Sequence, residues 1–348
     1  MGGQPVTTPA ARPEAAVPTT PDAVPPEMFT SAPDILKRLQ LSIGREVIGY
    51  DSVVRALADA LLAEGHVLLE GVPGLAKTYL VRSFAGSLAL SFRRIQFTPD
   101  MLPSDILGAT VLNPKDRSFE FRPGPIFANV ILADEINRAP PKVQSALLEA
   151  MQERQVTIEG QAHPLPRPFM VIATQNPIEQ EGTYPLPEAE LDRFLFRWIL
   201  QYPTATDEVT ILRTRGAVAE GPGPNVVTTE ELERLRALPG QVFVGDDLFQ
   251  YITQIVRGTR EDPRILVGAS PRASVHLLNA AKAAAVLDGR RYVIPDDARD
   301  FALPVLSHRI ILRPEALTLS LQHGGFGRTA ETVRTILEEV LGRVDVPR

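Results

Sequence analysis

Lys77 and Thr78 close an eight-residue stretch, GVPGLAKT, that follows a short apolar run and opens a helical pattern. A triphosphate needs backbone N–H groups converging on its oxygens, a cation on its β and γ phosphates and a hydroxyl for Mg²⁺. Lys77 supplies the cation and Thr78 the hydroxyl, and Gly71, Pro73, Gly74, Leu75, Ala76 and Tyr79 make up the rest of the candidate cradle for a nucleoside triphosphate. The strict pattern G-x-x-x-x-G-K-[ST] carries glycine where this chain has Ala76. At a helix start alanine is sterically acceptable, so the N–H donor is expected to survive the change. The competing account is an ordinary Gly-Pro strand-to-helix turn with no ligand.

Hydrolysis also requires a carboxylate near the metal and a group that aligns the attacking water. In NVILADEINR an apolar strand ends in Asp134 and Glu135, which point differently, so Asp134 can join Thr78 on Mg²⁺ while Glu135 faces the water. A plain acidic cap after a strand is the alternative. FMVIATQNP ends in Asn176, a neutral group suited to holding a water or the γ phosphate, although Asn-Pro also simply opens turns. Ser270 and Pro271 read as the cap and first position of a helix. Arg272 in that first turn opposes the helix dipole by about 0.3 to 1 kcal/mol, a conflict that a bound phosphate from the neighbouring domain would remove. Arg193 follows Glu190 and Asp192 and is, on residue types alone, equally a solvated ion-pair cluster worth under about 1 kcal/mol.

The elements that must position these groups alternate. HVLLE, FRRIQF, NVILAD, FMVIAT and FLFRWIL are strand-like and are separated by helical segments such as PPKVQSALLEAMQE, which implies a parallel sheet flanked by helices. Residues 109–122 and 155–166 each read as an inserted hairpin. DILKRLQLSI behind Asp34 and DSVVRALADALLA behind Asp51 are two capped helices preceding the first strand. GPGP at 221–224 marks a boundary, beyond which helical periodicity dominates. The expected organisation is a disordered Pro/Ala/Thr-rich tail over 1–30, an α/β nucleotide-binding core over 31–203 and a smaller all-α lid domain over 204–348.

Composition narrows the function classes. At 348 residues and 44% hydrophobic content the chain is long enough for two domains with real cores. No apolar run reaches the roughly 18 to 20 residues a bilayer needs, and the start lacks a basic, then apolar, leader, so neither a span nor secretion is expected. The absence of cysteine excludes disulfides and thiolate chemistry and fits the cytoplasm. A formal charge of -6 makes nucleic acid an improbable standing partner, because such binding depends on Lys and Arg neutralising phosphates.

GVPGLAKT, ILADEINRAPPKVQSALLEAMQE, ATQNP and LPEAELDRFLFR, in this order, resemble the MoxR family of AAA+ ATPases, and the similarity extends from about Pro33 to the end. The resemblance implies a P-loop AAA+ core with a helical lid, Mg-ATP bound in the crevice between them, and hydrolysis to ADP and phosphate. It makes Lys77 and Thr78 the first nucleotide motif, Asp134 and Glu135 the second, Asn176 the first sensor, Arg193 the arginine finger and Arg272 the second sensor. Val47 to Tyr50, with Ile48, fall on the adenine side, Tyr50 standing where relatives often have glutamine. The resemblance further implies a homo-hexameric ring that remodels, matures or assists metal insertion into a protein client, acting with proteins that carry a von Willebrand factor A domain. A helicase-type nucleic-acid motor and a nucleotide-gated scaffold with little turnover are the rival readings. With few other surfaces available, the two hairpins, including the tip residues Lys115 and Arg117, are the expected client contact.

Overall fold

The computed structural model describes residues 27–113, 115, 117–176, 182–214, 225–316 and 328–347. Five strands form one parallel sheet: β1 (Val67–Glu70), β2 (Phe92–Gln96), β5 (Val130–Asp134), β8 (Met170–Gln175) and β9 (Phe196–Ile199), in the order β2-β5-β8-β1-β9. The three central strands are buried almost throughout, as their unbroken apolar sequences require in a sheet covered on both faces. Residues alternate between two cores. Val67, Leu69, Leu132 and Ile172 face one, Leu68, Ile131, Val171 and Ala173 the other.

The second of these cores is covered by α4 (Pro103–Leu107) and α5 (Pro141–Glu153), which buries Val143, Leu147, Leu148 and Met151. The first is covered by α1 (Glu27–Gly44), α2 (Asp51–Leu62) and α3 (Lys77–Ser87). The expected hairpins are present as β3 (Gly108–Leu112) with β4 (Phe119–Pro123), and β6 (Gln155–Ile158) with β7 (Gln161–Pro164). They touch through Phe121 and His163, whose rings stack 4.1 Å apart. Lys115 and Arg117 belong to the described tip, while Pro114 and Asp116 between them lie outside the described residues.

Beyond the sheet, α6 (Glu188–Leu191) precedes β9 and α7 (Ala205–Thr214) follows it. The lid then comprises α8 (Thr229–Ala237), α9 (Asp246–Glu261), α10 (Pro271–Leu287), α11 (Pro295–Leu306) and α12 (Arg328–Arg343), with a small antiparallel pair, β10 (Ile265–Val267) and β11 (Ile311–Leu312). The GPGP boundary lies outside the described residues. Ala280, Ala281, Ala283, Ala284 and Ala285 of α10 are all buried, and their small side chains let that helix approach its neighbours α1, α2 and α11 closely. One continuous apolar cluster therefore runs from the sheet through α1 and α2 into the lid.

Two local expectations change. Residues 27–30, placed in the tail by composition, form the first turn of α1, and Asp34 sits inside that helix rather than capping it. Packing overrides the Pro33-Asp34 start signal, because Phe29 and Ala32 are buried and the Arg291 guanidinium stacks 5.4 Å from the Phe29 ring. Residues 1–26 lie outside the described residues.

Candidate nucleotide site and a second cluster of cations

The loop between β1 and α3 delivers Lys77 as the first residue of its helix. α3 has no side-chain cap, so its first N–H groups remain available to an anion, as helix geometry dictates. Lys77 Nζ donates to the Gly71 carbonyl at 2.7 Å, which folds the cation over the mouth of the loop. Burial pushes the Lys77 ammonium below its usual pKa, and the nearby Asp134 and Glu135 carboxylates oppose that shift. Thr78 is half-buried beside it, Leu75 is buried, Pro73 and Gly74 are exposed, and Tyr79 is exposed under the Arg82 guanidinium.

Ala76 departs from its expected role. Its φ of 53° and ψ of 24° are left-handed, so alanine carries a steric cost there that glycine would not. Gly74, at φ 90°, does use glycine's freedom. The Ala76→Gly variant is expected to gain about 1 kcal/mol in stability, read as a higher midpoint in nucleotide-free thermal unfolding. A lower midpoint would refute the strain.

Asp134 ends β5 and Glu135 follows it at φ 59°, ψ 50°, a second left-handed residue. Thr174 on β8 organises both. Its hydroxyl donates to Asp134 Oδ1 at 2.6 Å and accepts the Glu135 N–H at 2.9 Å. From the edge strand β2, Arg94 donates to Asp134 Oδ2 through Nε at 3.0 Å and Nη2 at 2.7 Å, and Gln96 Nε2 donates to Glu135 Oε2 at 2.8 Å. Arg138 completes the grip on Glu135 at 3.2 Å. Asn176 is buried one residue past β8, between the strand ending at Asp134 and the strand ending at Glu70. Lys77, Thr78, Asp134, Glu135 and Asn176 thus converge at the carboxyl edge of the sheet, where ligands bind in open α/β folds.

Sequence reasoning missed Arg94, Gln96 and Thr174. The signal for the first two was their i, i+2 spacing in FRRIQ, which puts both on one face of the strand. Threonine in a strand carries no such flag.

Beside the loop lies a cavity of about 650 Å³ between the core and the lid, lined by Tyr50, Trp198, Leu200 and Tyr202 on one side and Leu303 and Pro304 on the other. Ile48 is half-buried next to it, and Gly49 and Tyr50 line it. The Tyr50 hydroxyl is buried with no hydrogen-bond partner among the described residues, an unpaired group of the kind a nucleobase could satisfy. The donor set also suits Mg²⁺, which takes oxygen ligands and few protein groups: Thr78 offers a hydroxyl and Asp134 a carboxylate.

Arg193 and Arg272 are elsewhere. Both line a cavity of about 540 Å³ together with His66, Arg154, Arg236 and Lys282. His66 precedes β1 and Leu195 precedes β9, so this cavity opens at the amino edge of the sheet. Four residues of β1 at roughly 3.3 Å each separate that edge from the phosphate loop. Arg272, expected at a phosphate of the neighbouring domain, thus lies beside Arg193, the residue expected to complete an adjacent subunit's site, at the sheet edge opposite the phosphate loop. Arg193 Nε meets Glu190 at 3.1 Å and Arg272 Nη1 meets Asp192 at 3.6 Å.

Comparison with known proteins agrees with this architecture. Residues 66–196 match the ATPase family associated with various cellular activities (AAA), and residues 257–322 match the AAA lid domain. The chain is 45% identical over 291 residues to chaperone MoxR1 of Mycobacterium tuberculosis, covering 81% of this chain and 77% of that one. It is 46% identical over 307 residues to YeaC of Bacillus subtilis, an uncharacterized protein, covering 88% and 92%. A crystal structure from Cytophaga hutchinsonii superposes with a TM-score of 0.83 at 40% identity, covering 92% of this chain and 98% of that one. With a parallel α/β core, a helical lid and relatives of this closeness, the chain belongs to the MoxR family of AAA+ ATPases.

Proposed function

We propose that the protein hydrolyses ATP to remodel a protein client, in an oligomeric ring whose subunits complete one another's sites. The observation that carries this reading is the separation of the two clusters. Arg193 and Arg272 lie a strand's length from the phosphate loop of their own chain, at the opposite edge of the sheet. A neighbouring copy that presented its loop to that cavity would bring its phosphates to these cations.

Within one subunit, Lys77 and the first turn of α3 bind phosphate charge, and Thr78 and Asp134 hold the metal. Mg²⁺ there would neutralise phosphate oxygens and align them. Glu135 accepts the proton of the attacking water, and Asn176 orients that water beside it. For the metal to load, Asp134 must exchange its contact with Arg94.

The client side of the proposal rests on a relative of 45% identity named as a chaperone. Maturation of, or metal insertion into, a larger complex with a von Willebrand factor A domain protein is the specific form we adopt, with a hexamer as the ring and the cytoplasm as its place. No helix among the described residues is long and apolar enough to cross a membrane.

The deciding experiment pairs nucleotide binding with phosphate release. Lys77→Ala is expected to weaken ATP binding at least tenfold, because its ammonium touches ground-state charge. Unchanged affinity would remove the loop assignment. Stimulation by DNA or RNA instead of by protein would favour a nucleic-acid motor.

A further inference from the structure

Arg309 belongs to the lid, between α11 and β11, yet most of its guanidinium is committed to the core turn that carries Arg193. Its side chain is 1% exposed. Nε donates to Asp192 Oδ1 at 2.7 Å, Nη2 to the Asp192 carbonyl at 3.1 Å and to the Phe194 carbonyl at 2.5 Å, and Nη1 to the Leu195 carbonyl at 3.3 Å. On the lid side it meets the Val305 carbonyl, His276 Nδ1 and His308 Nε2. A guanidinium can only donate, so His276 Nδ1 accepts, while His308 Nε2 lies between Arg309 Nη1 and the Phe194 carbonyl, 3.0 Å from the latter. Burial, reinforced by the Arg309 charge, keeps both rings neutral, pushing His276 down to about 3 and His308 well below its usual value.

Three elements are thus tied at one buried cation: the finger turn through residues 192–195, α10 through His276 and the end of α11 through Val305. Arg272 lies one helical turn before His276 on α10, and Asp192, the carboxylate paired with Arg309 among the described residues, also faces Arg272. Burying a charge is expensive and weak as a source of stability. The continuous apolar cluster already holds the lid to the core, so attachment alone does not call for this device.

We propose that Arg309 is a positioning residue that locks the turn bearing Arg193 and the first turn bearing Arg272 into one unit, so both cations meet a neighbouring copy's nucleotide in fixed register. This rests on the reading that Arg193 and Arg272 act across the subunit boundary.

The test uses mixed assemblies of full-length chains. Arg309→Lys keeps the charge and loses the fork. Alone, it is expected to lose at least tenfold in turnover while each subunit still binds ATP as tightly as the parent. Mixed with Lys77→Ala subunits, which lack a working loop and keep an intact finger unit, it is expected to recover activity. A Lys77→Ala, Arg309→Lys double variant should fail to rescue Arg193→Ala, whereas Lys77→Ala alone should rescue it. If that last control recovers and the Arg309→Lys mixture does not, Arg309 serves its own subunit and the inference is wrong. If the control itself fails despite co-assembly, the cross-boundary reading falls and this inference with it. Parent-level turnover of Arg309→Lys alone would also overturn it. Should Arg309→Lys not fold, Asp192→Asn, a partly exposed site, carries the same expectations.

Discussion

Replacing Glu135 with glutamine is expected to cut ATP turnover by about 10²- to 10⁴-fold while leaving ATP affinity within about twofold of the parent. The amide is nearly isosteric, so Glu135 loses its basicity and little of its packing. Its backbone N–H bond to Thr174 survives, and the contact with Gln96 is retained after a flip of either amide. A carboxylate that acts only as water attacks contributes to the transition state and not to ground-state binding, so the loss falls on kcat. Single-turnover phosphate release beside an equilibrium binding titration separates the two. Turnover within twofold of the parent would move the base elsewhere. The same variant, held in ATP, should retain a protein client on affinity capture, because the ATP state no longer decays.

The left-handed backbone at Glu135 gives this prediction a structural companion. A non-glycine residue at φ 59° costs of order 1 kcal/mol or more and persists only where its surroundings hold it. Here the holding group is Thr174, which bonds the Glu135 N–H and the Asp134 carboxylate with one hydroxyl. The strain and the two carboxylates form one preorganised unit, which is the arrangement electrostatic catalysis needs.

How much of this was legible in sequence follows from what each feature depends on. The strands β5 and β8 were readable because burial on both faces demands unbroken apolar runs, and the loop because Lys77 and Thr78 sit at fixed offsets from Gly71. Lys77, Asp134 and Asn176 fell together because parallel strands of one sheet end on one edge. The contacts of Arg94 and Gln96 depend on which strand neighbours β5, and strand order is a tertiary property that local pattern does not encode. Arg272 could be named and not placed, since the side on which α10 packs is decided by its alanine face meeting α1 and α2. The backbone of Ala76 was misjudged for a related reason. A position read as an ordinary helix start is the left-handed residue before it.

Replacing Arg193 with alanine is expected to lower turnover by about 10³- to 10⁵-fold, the range an arginine supplies when it stabilises charge at a transferring phosphoryl group. Folding should be almost untouched. Arg193 pairs with Glu190, three residues away and about a quarter exposed, and such a pair is worth under about 1 kcal/mol. Affinity for ATP in isolated subunits should also be unchanged, because the side chain lines a cavity at the far edge of its own sheet. The loss would therefore appear only in the assembled state and only in kcat. Arg272→Ala should show the same pattern with a smaller effect, since its side chain is 48% exposed and already shares Asp192 with Arg309. If both cations meet one phosphate group, the double variant should lose less than the sum of the two single losses in free energy, because neighbouring groups acting on one charge are not additive. Full additivity would assign them to separate phosphates or separate tasks. An Arg193→Ala assembly that retains more than a tenth of parental turnover would leave Arg193 as the exposed ion pair its neighbours Glu190 and Asp192 also permit.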